Sequence, residues 1–133
     1  MFYSKNITVT AATTEVTAVM TNLTLSSGII HQLDFVFPKN DDNDLYVQVF
    51  VGGRQITPSN SEDAIRASNT IISTREFYEM PKGSSTITIK AWNVHATDAY
   101  VIAVNIGVLP KKILQPFSFE ELLKAALALE PSK

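Results

Sequence analysis

Apolar and polar residues alternate with a period of two through most of this chain, and that pattern leaves few folds open to it. Leu45, Val47, Val49 and Val51 alternate with Tyr46, Gln48 and Phe50; Ile87, Ile89 and Ala91 share one face of residues 86–94; Tyr100, Ile102, Val104, Ile106 and Val108 alternate against smaller residues. Successive side chains of a strand point to opposite faces, so each run predicts a strand with one apolar face. Ile7, Val9 and Ala11 alternate with Thr8 and Thr10, and a second Thr-rich strand is expected around residues 16–25. Ile29, His31, Leu33, Phe35 and Phe37 fall on one face against Ile30, Gln32, Asp34 and Val36, until Pro38 ends the run. Residues 69–78 read as a further strand and residues 54–58 as a short one, followed by a loop or brief helical turn over residues 59–64. Turn formers punctuate the series at Ser26-Ser27-Gly28, Gly52-Gly53, Pro81-Lys82-Gly83-Ser84-Ser85 and the polar residues 38–44. Seven or eight strands with no helix between them predict an all-β fold, an antiparallel β-sandwich or jelly roll.

One segment breaks the pattern. Ser118 followed by Glu121 forms a capping box, and Pro131 limits the other end, so the sequence predicts a C-terminal amphipathic α-helix over residues 117–130. Phe119, Leu122, Leu123, Ala126, Leu127 and Leu129 fall on one stripe, with Glu120, Glu121 and Lys124 opposite. A helix of about a dozen residues is marginal alone in water, so packing must hold it. The expected organisation is a β-sandwich domain over residues 1–110 and a tether with a helical arm over residues 111–133. Phe117, Phe119, Leu122, Leu123 and Leu127 are the candidate partner-binding residues, expected to bury against another subunit or the outside of their own sandwich.

Composition narrows the function classes. At 133 residues, with 45% apolar and 18% charged residues, the chain has the makings of one well-packed domain rather than a disordered segment. A net charge of −2 with scattered basic residues gives phosphate backbones little to bind, so no nucleic-acid partner is expected. No basic start followed by an apolar run and no window of 18 apolar residues occurs, so neither a secretion signal nor a membrane span is expected. There is no cysteine, which removes disulfides, thiolate nucleophiles and Cys-based zinc sites. Asn6-Ile7-Thr8 and Asn22-Leu23-Thr24 match the glycosylation pattern, most simply by chance in a Thr-rich chain.

Reaction chemistry finds little purchase. His31 and His95 are the only histidines, and neither has a nearby acid or nucleophile in sequence, so a packed or surface histidine is the expectation at both. Asn40-Asp41-Asp42-Asn43-Asp44 offers alternating oxygen ligands, yet Leu45 stands where a Ca²⁺ loop needs glycine and the downstream Glu is missing. A solvated hairpin tip is the simpler reading. Gly52-Gly53-Arg54 lacks the spacing and following helix of a phosphate loop and reads as a tight bend. Trp92 with Tyr3, Tyr46, Tyr78 and Tyr100 would suit a sugar platform if exposed together, and core or interface positions otherwise. No catalytic residue, metal site or cofactor is expected, and the chain does not read as an enzyme.

Apolar residues stand on both strand faces at two places: Val101, Ala103 and Leu109 in the last strand, and Val36, Tyr46 and Phe50 around the Asp-rich loop. Outer faces of a lone sandwich are ordinarily polar, so a cover is expected, either the C-terminal helix or a neighbouring subunit.

The runs Gly28-Ile29-Ile30-His31-Gln32-Leu33-Asp34-Phe35-Val36-Phe37-Pro38 and Leu45-Tyr46-Val47-Gln48-Val49-Phe50-Val51-Gly52-Gly53-Arg54-Gln55-Ile56-Thr57-Pro58, with Ala91-Trp92-Asn93 later, resemble small β-sandwich virion proteins of tailed phages and related viruses. The resemblance spans roughly residues 28–110 and carries no catalytic motif. It implies a capsid decoration or other auxiliary structural protein in the virion, assembled in the host cytoplasm. It further implies a homo-oligomer, a trimer or other symmetric oligomer, with the major capsid or another virion protein as partner. The competing expectation is a ligand-binding module for carbohydrate or host attachment, which an exposed aromatic cluster in a concave site would favour.

Overall fold

A computed structural model describes residues 1–39, 43–60, 62–80 and 86–110. The predicted C-terminal helix, with Phe117, Phe119, Leu122, Leu123 and Leu127, lies outside the described residues, as do Asn40, Asp41 and Asp42 of the acidic run and the turn over residues 81–85. Among the described residues the chain is all-β. Its strands are β1 (Phe2–Val9), β2 (Val19–Thr24), β3 (Ile29–Val36), β4 (Leu45–Val51), β5 (Arg54–Thr57), β6 (Ile65–Arg66), β7 (Ile71–Glu79), β8 (Thr86–Asn93) and β9 (Tyr100–Leu109).

The strands pair antiparallel in a nested order. β4 pairs with β5, β3 with β7, β2 with β8 and β1 with β9, as in one long hairpin folded about its middle. Its tip is Gly52-Gly53: Val51 pairs with Arg54, and both glycines have positive φ, 58° and 81°. Such a two-residue turn matches the twist of the strands it joins and needs glycine-like freedom at both positions. The long hairpin is then rolled, so that β9 also meets β3 and β8 also meets β4. Two antiparallel sheets result, ordered β1-β9-β3-β7 and β2-β8-β4-β5, with β6 continuing the β5 edge alongside Tyr46 and Val47.

One hydrophobic core joins the two sheets. Ile7, Val9, Leu33, Phe35, Val104, Ile106 and Val108 enter it from the first, and Leu45, Val47, Val49, Val51, Ile87, Ile89 and Ala91 from the second. These are the alternating sets that the sequence marks. Each such side chain contributes about 1.5–3 kcal/mol by leaving water, which is what holds short strands of low intrinsic stability in register.

Three local departures from simple alternation matter. A bulge between Ile30 and Gln32 shifts the β3 register against both neighbours, so that Ile30, opposite Val108 and Tyr78, joins the core. The extra residue reverses the faces on one side of it, and His31 leaves the set with Leu33 and Phe35 to lie against Gly107 instead. β1 begins at Phe2, earlier than the Ile7 alternation suggests. β2 begins only at Val19, because residues 14–17 form a turn in which Thr17 N–H donates to Thr14 O (3.1 Å) and Thr14 N–H donates to Thr17 Oγ1 (2.8 Å).

Candidate functional site

The outer face of the β1-β9-β3-β7 sheet is unusually apolar for a surface. Phe2, Ile71, Phe77 and Val101 are 69%, 61%, 58% and 49% exposed. The register sorts the face into rows. Val36 pairs with Ile71 on one side and Ala103 on the other, and Val101 follows Ala103 on the same face, which makes an apolar corner at one end. Ser4, Asn105, Asp34 and Ser73 form a polar row across the middle. Asp34 is the one charge in that row, and Gln32 Nε2 donates to its two carboxylate oxygens at 3.2 and 3.0 Å. The next row is Phe2, Gly107, Gln32 and Arg75, and beyond it Ile29 lies between Leu109 and Glu79.

Gly107 is what lets two rings lie on this face. The Phe2 and His31 rings meet edge to face with centroids 5.9 Å apart, and a β-carbon at 107 would come within 2.7 Å of His31 Nε2 and 2.9 Å of Phe2 Cε1. His31 Nε2 is buried there without a hydrogen-bond partner. The residues expected from sequence at this surface, Val36, Val101, Ala103 and Leu109, do lie on it. Ile71 and Phe77 lie in a segment that the sequence marks only as a strand, because large apolar residues at both parities do not reveal which set faces in, and Phe2 lies ahead of the alternation that marks β1.

The outer face of the other sheet is built differently. Arg66, Tyr46 and Trp92 stand side by side on β6, β4 and β8. Tyr46 and Trp92 stack nearly parallel, 3° between planes and 5.2 Å between centroids, and the Arg66 guanidinium lies 4.8 Å from the Tyr46 centroid. Because β4 lies between β6 and β8, both faces of Tyr46 are taken. Trp92 is itself buried, with Lys90 Nζ 5.8 Å from its ring and 3.7 Å from Glu15. A sugar platform needs a ring face open to solvent, and these rings spend theirs on each other. The remaining aromatics are dispersed. Tyr3 exchanges hydrogen bonds with Ser26, donating to Oγ and accepting from the backbone N–H, both at 2.9 Å, and these bonds hold its phenol below the ordinary value of about 10. Tyr100 meets His95 edge to face, centroids 5.6 Å apart.

Beside Tyr46 the side-chain amides of Gln55 and Gln48 hold the backbone of Pro58, Asn60 and Asp63 against the sheet. Gln55 Nε2 donates to the carbonyls of Pro58, Asn60 and Asp63 at 2.9, 3.4 and 2.9 Å, and Gln48 Nε2 donates to Asp63 O at 2.9 Å. This loop is why Gln48, at an outward position, is buried.

His95 organises the corner between β8 and β9. Its Nδ1 accepts the backbone N–H groups of Thr97 (3.2 Å) and Asp98 (2.9 Å), which leaves the hydrogen on Nε2, 3.8 Å from Asp98 Oδ2. Buried Asn93 supports the same corner, donating to Asp98 O at 2.8 Å and accepting from His95 N at 3.0 Å. Among the described residues no group of three or more His, Asp or Glu side chains is placed to hold a metal ion, and His31 and His95 lie on opposite sheets' strands or connections rather than together. No protein-family model matches the sequence, and no curated protein matches it either. Among the described residues the β1-β9-β3-β7 sheet presents a set of exposed apolar side chains.

Proposed function

We propose that the protein is a structural component of a virion, a capsid decoration or auxiliary protein that coats or stabilises the particle as a symmetric homo-oligomer, a trimer by preference. The observation that carries this reading is the nested strand order. Four antiparallel pairs rolled into sheets β1-β9-β3-β7 and β2-β8-β4-β5 have the connectivity of a jelly-roll sandwich, an architecture that viral capsid and lectin domains share. Architecture alone does not assign function; the surface tips the balance. The exposed Phe2, Ile71, Phe77 and Val101 side chains suit burial against protein, whereas the stacked Tyr46 and Trp92 lack the open faces that a lectin-like reading would use. The segments that resemble virion proteins are β3, the β4-β5 hairpin and the end of β8, which form the middle of the roll. The partner is then the major capsid or another virion protein, the location is the virion, and Phe117, Phe119, Leu122, Leu123 and Leu127 contribute apolar contacts at the C-terminus.

The test is reconstitution. Purified protein is weighed by native mass spectrometry and then mixed with particles of the encoding virus that lack it. The expected outcome is a trimeric mass and saturable co-sedimentation at a fixed stoichiometry to the capsid protein. A monomer that never sediments with particles would sink the proposal, and specific signals on a glycan array would transfer the case to the ligand-binding alternative.

A further inference from the structure

The β1-β9-β3-β7 sheet ends in two strands, β1 and β7, that among the described residues are paired on one side only. They have eight and nine residues and contain no proline, so each presents an unbroken row of backbone donors and acceptors, the template for adding a strand. All neighbours in this four-stranded sheet are antiparallel, so its two edge strands run in opposite directions. The β1 edge of one molecule therefore lies antiparallel to the β7 edge of another without turning the sheet over. We propose that copies of this chain join edge to edge in this way, β1 of one on β7 of the next, with Lys5 opposite Glu76.

Backbone phase narrows the register first. Met1 and Val108 exchange both backbone hydrogen bonds, each at 2.7 Å. By the alternation of an antiparallel ladder, Phe2, Ser4, Asn6 and Thr8 then turn their N–H and C=O groups away from β9. At the two ends of the β3-β7 pair, Phe37 N–H donates to Thr70 O (2.8 Å) and Met80 N–H donates to Gly28 O (3.0 Å), so Ser73, Arg75 and Phe77 turn theirs away from β3. With Lys5 opposite Glu76 these sets meet: Ser4 faces Phe77, Asn6 faces Arg75 and Thr8 faces Ser73. The same residues are the outward-facing ones of both strands, so the outer face continues across the seam. A slip of one residue would set outward positions against inward ones throughout.

Charge selects among the registers that remain. Lys5 pairs with core residue Val104, and Glu76 shares its parity with Thr74 and Tyr78, which pair with Leu33 and Ile30. Each is thus the one core-side charge of its strand. Inward charges ordinarily keep an edge from pairing. These two have opposite signs, so set against each other they admit this partner and repel β1 on β1 or β7 on β7. Sliding by one pleat either way would put Glu76 against Tyr3 or Ile7 and Lys5 against Thr74 or Tyr78. Within the chain Glu76 accepts only a long hydrogen bond from Thr57 Oγ1, 3.4 Å. The exposed rings agree with the same register. Phe77 comes diagonal to Phe2 of the next copy, a separation that aromatic side chains span, and the two, 58% and 69% exposed in the single chain, cover each other. A contact between two different edges repeats from copy to copy and closes into a ring when the rotation allows, as a trimer requires.

This interface rests on the homo-oligomer proposed above, while attachment to a particle plays no part in it. Native mass spectrometry of the full chain, of Lys5→Glu, of Glu76→Lys and of the double exchange tests it, with circular dichroism to show that each is folded. Each single exchange sets like charges opposite each other and is expected to raise the concentration needed for assembly by about tenfold or more; the double exchange is expected to restore it. Assembly unchanged in the single exchanges, or not restored in the double, overturns the edge pairing and leaves the homo-oligomer standing. An unaltered chain that is monomeric removes the homo-oligomer and this interface with it. The chain has no cysteine, so a second check leaves both charges in place. Asn6→Cys mixed with Arg75→Cys and oxidised is expected to give a covalent heterodimer, and Asn6→Cys mixed with Ile71→Cys is not. Equal linking in both mixtures, or none in either, would overturn the register.

Discussion

Gly28 and Gly107 both sit where a β-carbon has no room, yet the atoms in the way differ. At Gly28 the obstacle is backbone: an added β-carbon would stand 2.6 Å from the Leu109 carbonyl oxygen and 3.1 Å from Val108 Cγ1. Backbone in a paired strand cannot step aside, so Gly28→Ala is expected to cost about 1–3 kcal/mol, as overpacking generally does. At Gly107 the obstacles are the ends of the Phe2 and His31 side chains, and Phe2 is largely exposed. Gly107→Ala is therefore expected to cost less than Gly28→Ala, and removing the Phe2 ring in the same chain should recover part of the loss. Urea denaturation midpoints of the four proteins check the order; equal losses at the two glycines would refute it. Neither role was legible in the sequence. Ser26-Ser27-Gly28 announced a turn and Gly107 looked like a small residue in an alternation, whereas what constrains both is a neighbour brought in by pairing with residues some 80 positions away.

The strands themselves were largely legible because each carries its own information. β4, β8 and β9 show their buried faces by periodicity alone, and the alternating apolar residues singled out there enter the core, except that Tyr100 only packs half-buried against it. β3 shows the limit: one extra residue at the bulge moves Ile30 inward and His31 out, and no period-two pattern contains that insertion. The row of Arg66, Tyr46 and Trp92 shows a second limit. Tyr46 and Trp92 were recognisable as aromatics, but their contact depends on β4 pairing with β8 in one register. That contact has an expected energy. Offset or parallel aromatic pairs contribute about 0.5–1.5 kcal/mol beyond burial, so a double-mutant cycle with Tyr46→Ala and Trp92→Ala should return a coupling of that size. Arg66→Ala should lower it if the guanidinium helps fix the Tyr46 ring from its other side. Additive losses, with no coupling, would show that the stack is incidental to two separately packed side chains.

At the scale of the whole molecule, the roll closes only when the first strand finds the last. β1 pairs with β9 along its full length, and Ile7 and Val9 from β1 are part of the core. Val108 N–H also donates to Met1 O, at 2.7 Å, which ties the start of the chain to the end of β9. Among the described residues the core lies within residues 7–108, which makes β1 indispensable to it. Residues 1–110 alone are expected to unfold in a single cooperative thermal transition by circular dichroism. Residues 11–133 alone are expected to show no such transition, because the missing strand uncovers the core beside Ile102 and leaves the ten-residue β9 as an exposed apolar edge, a template for aggregation. The reverse result would mean that the C-terminal segment, and not the β1-β9 pairing, completes the fold. Non-local pairing of this kind also predicts slow folding, since the chain must close nearly its whole length before β1 gains its partner.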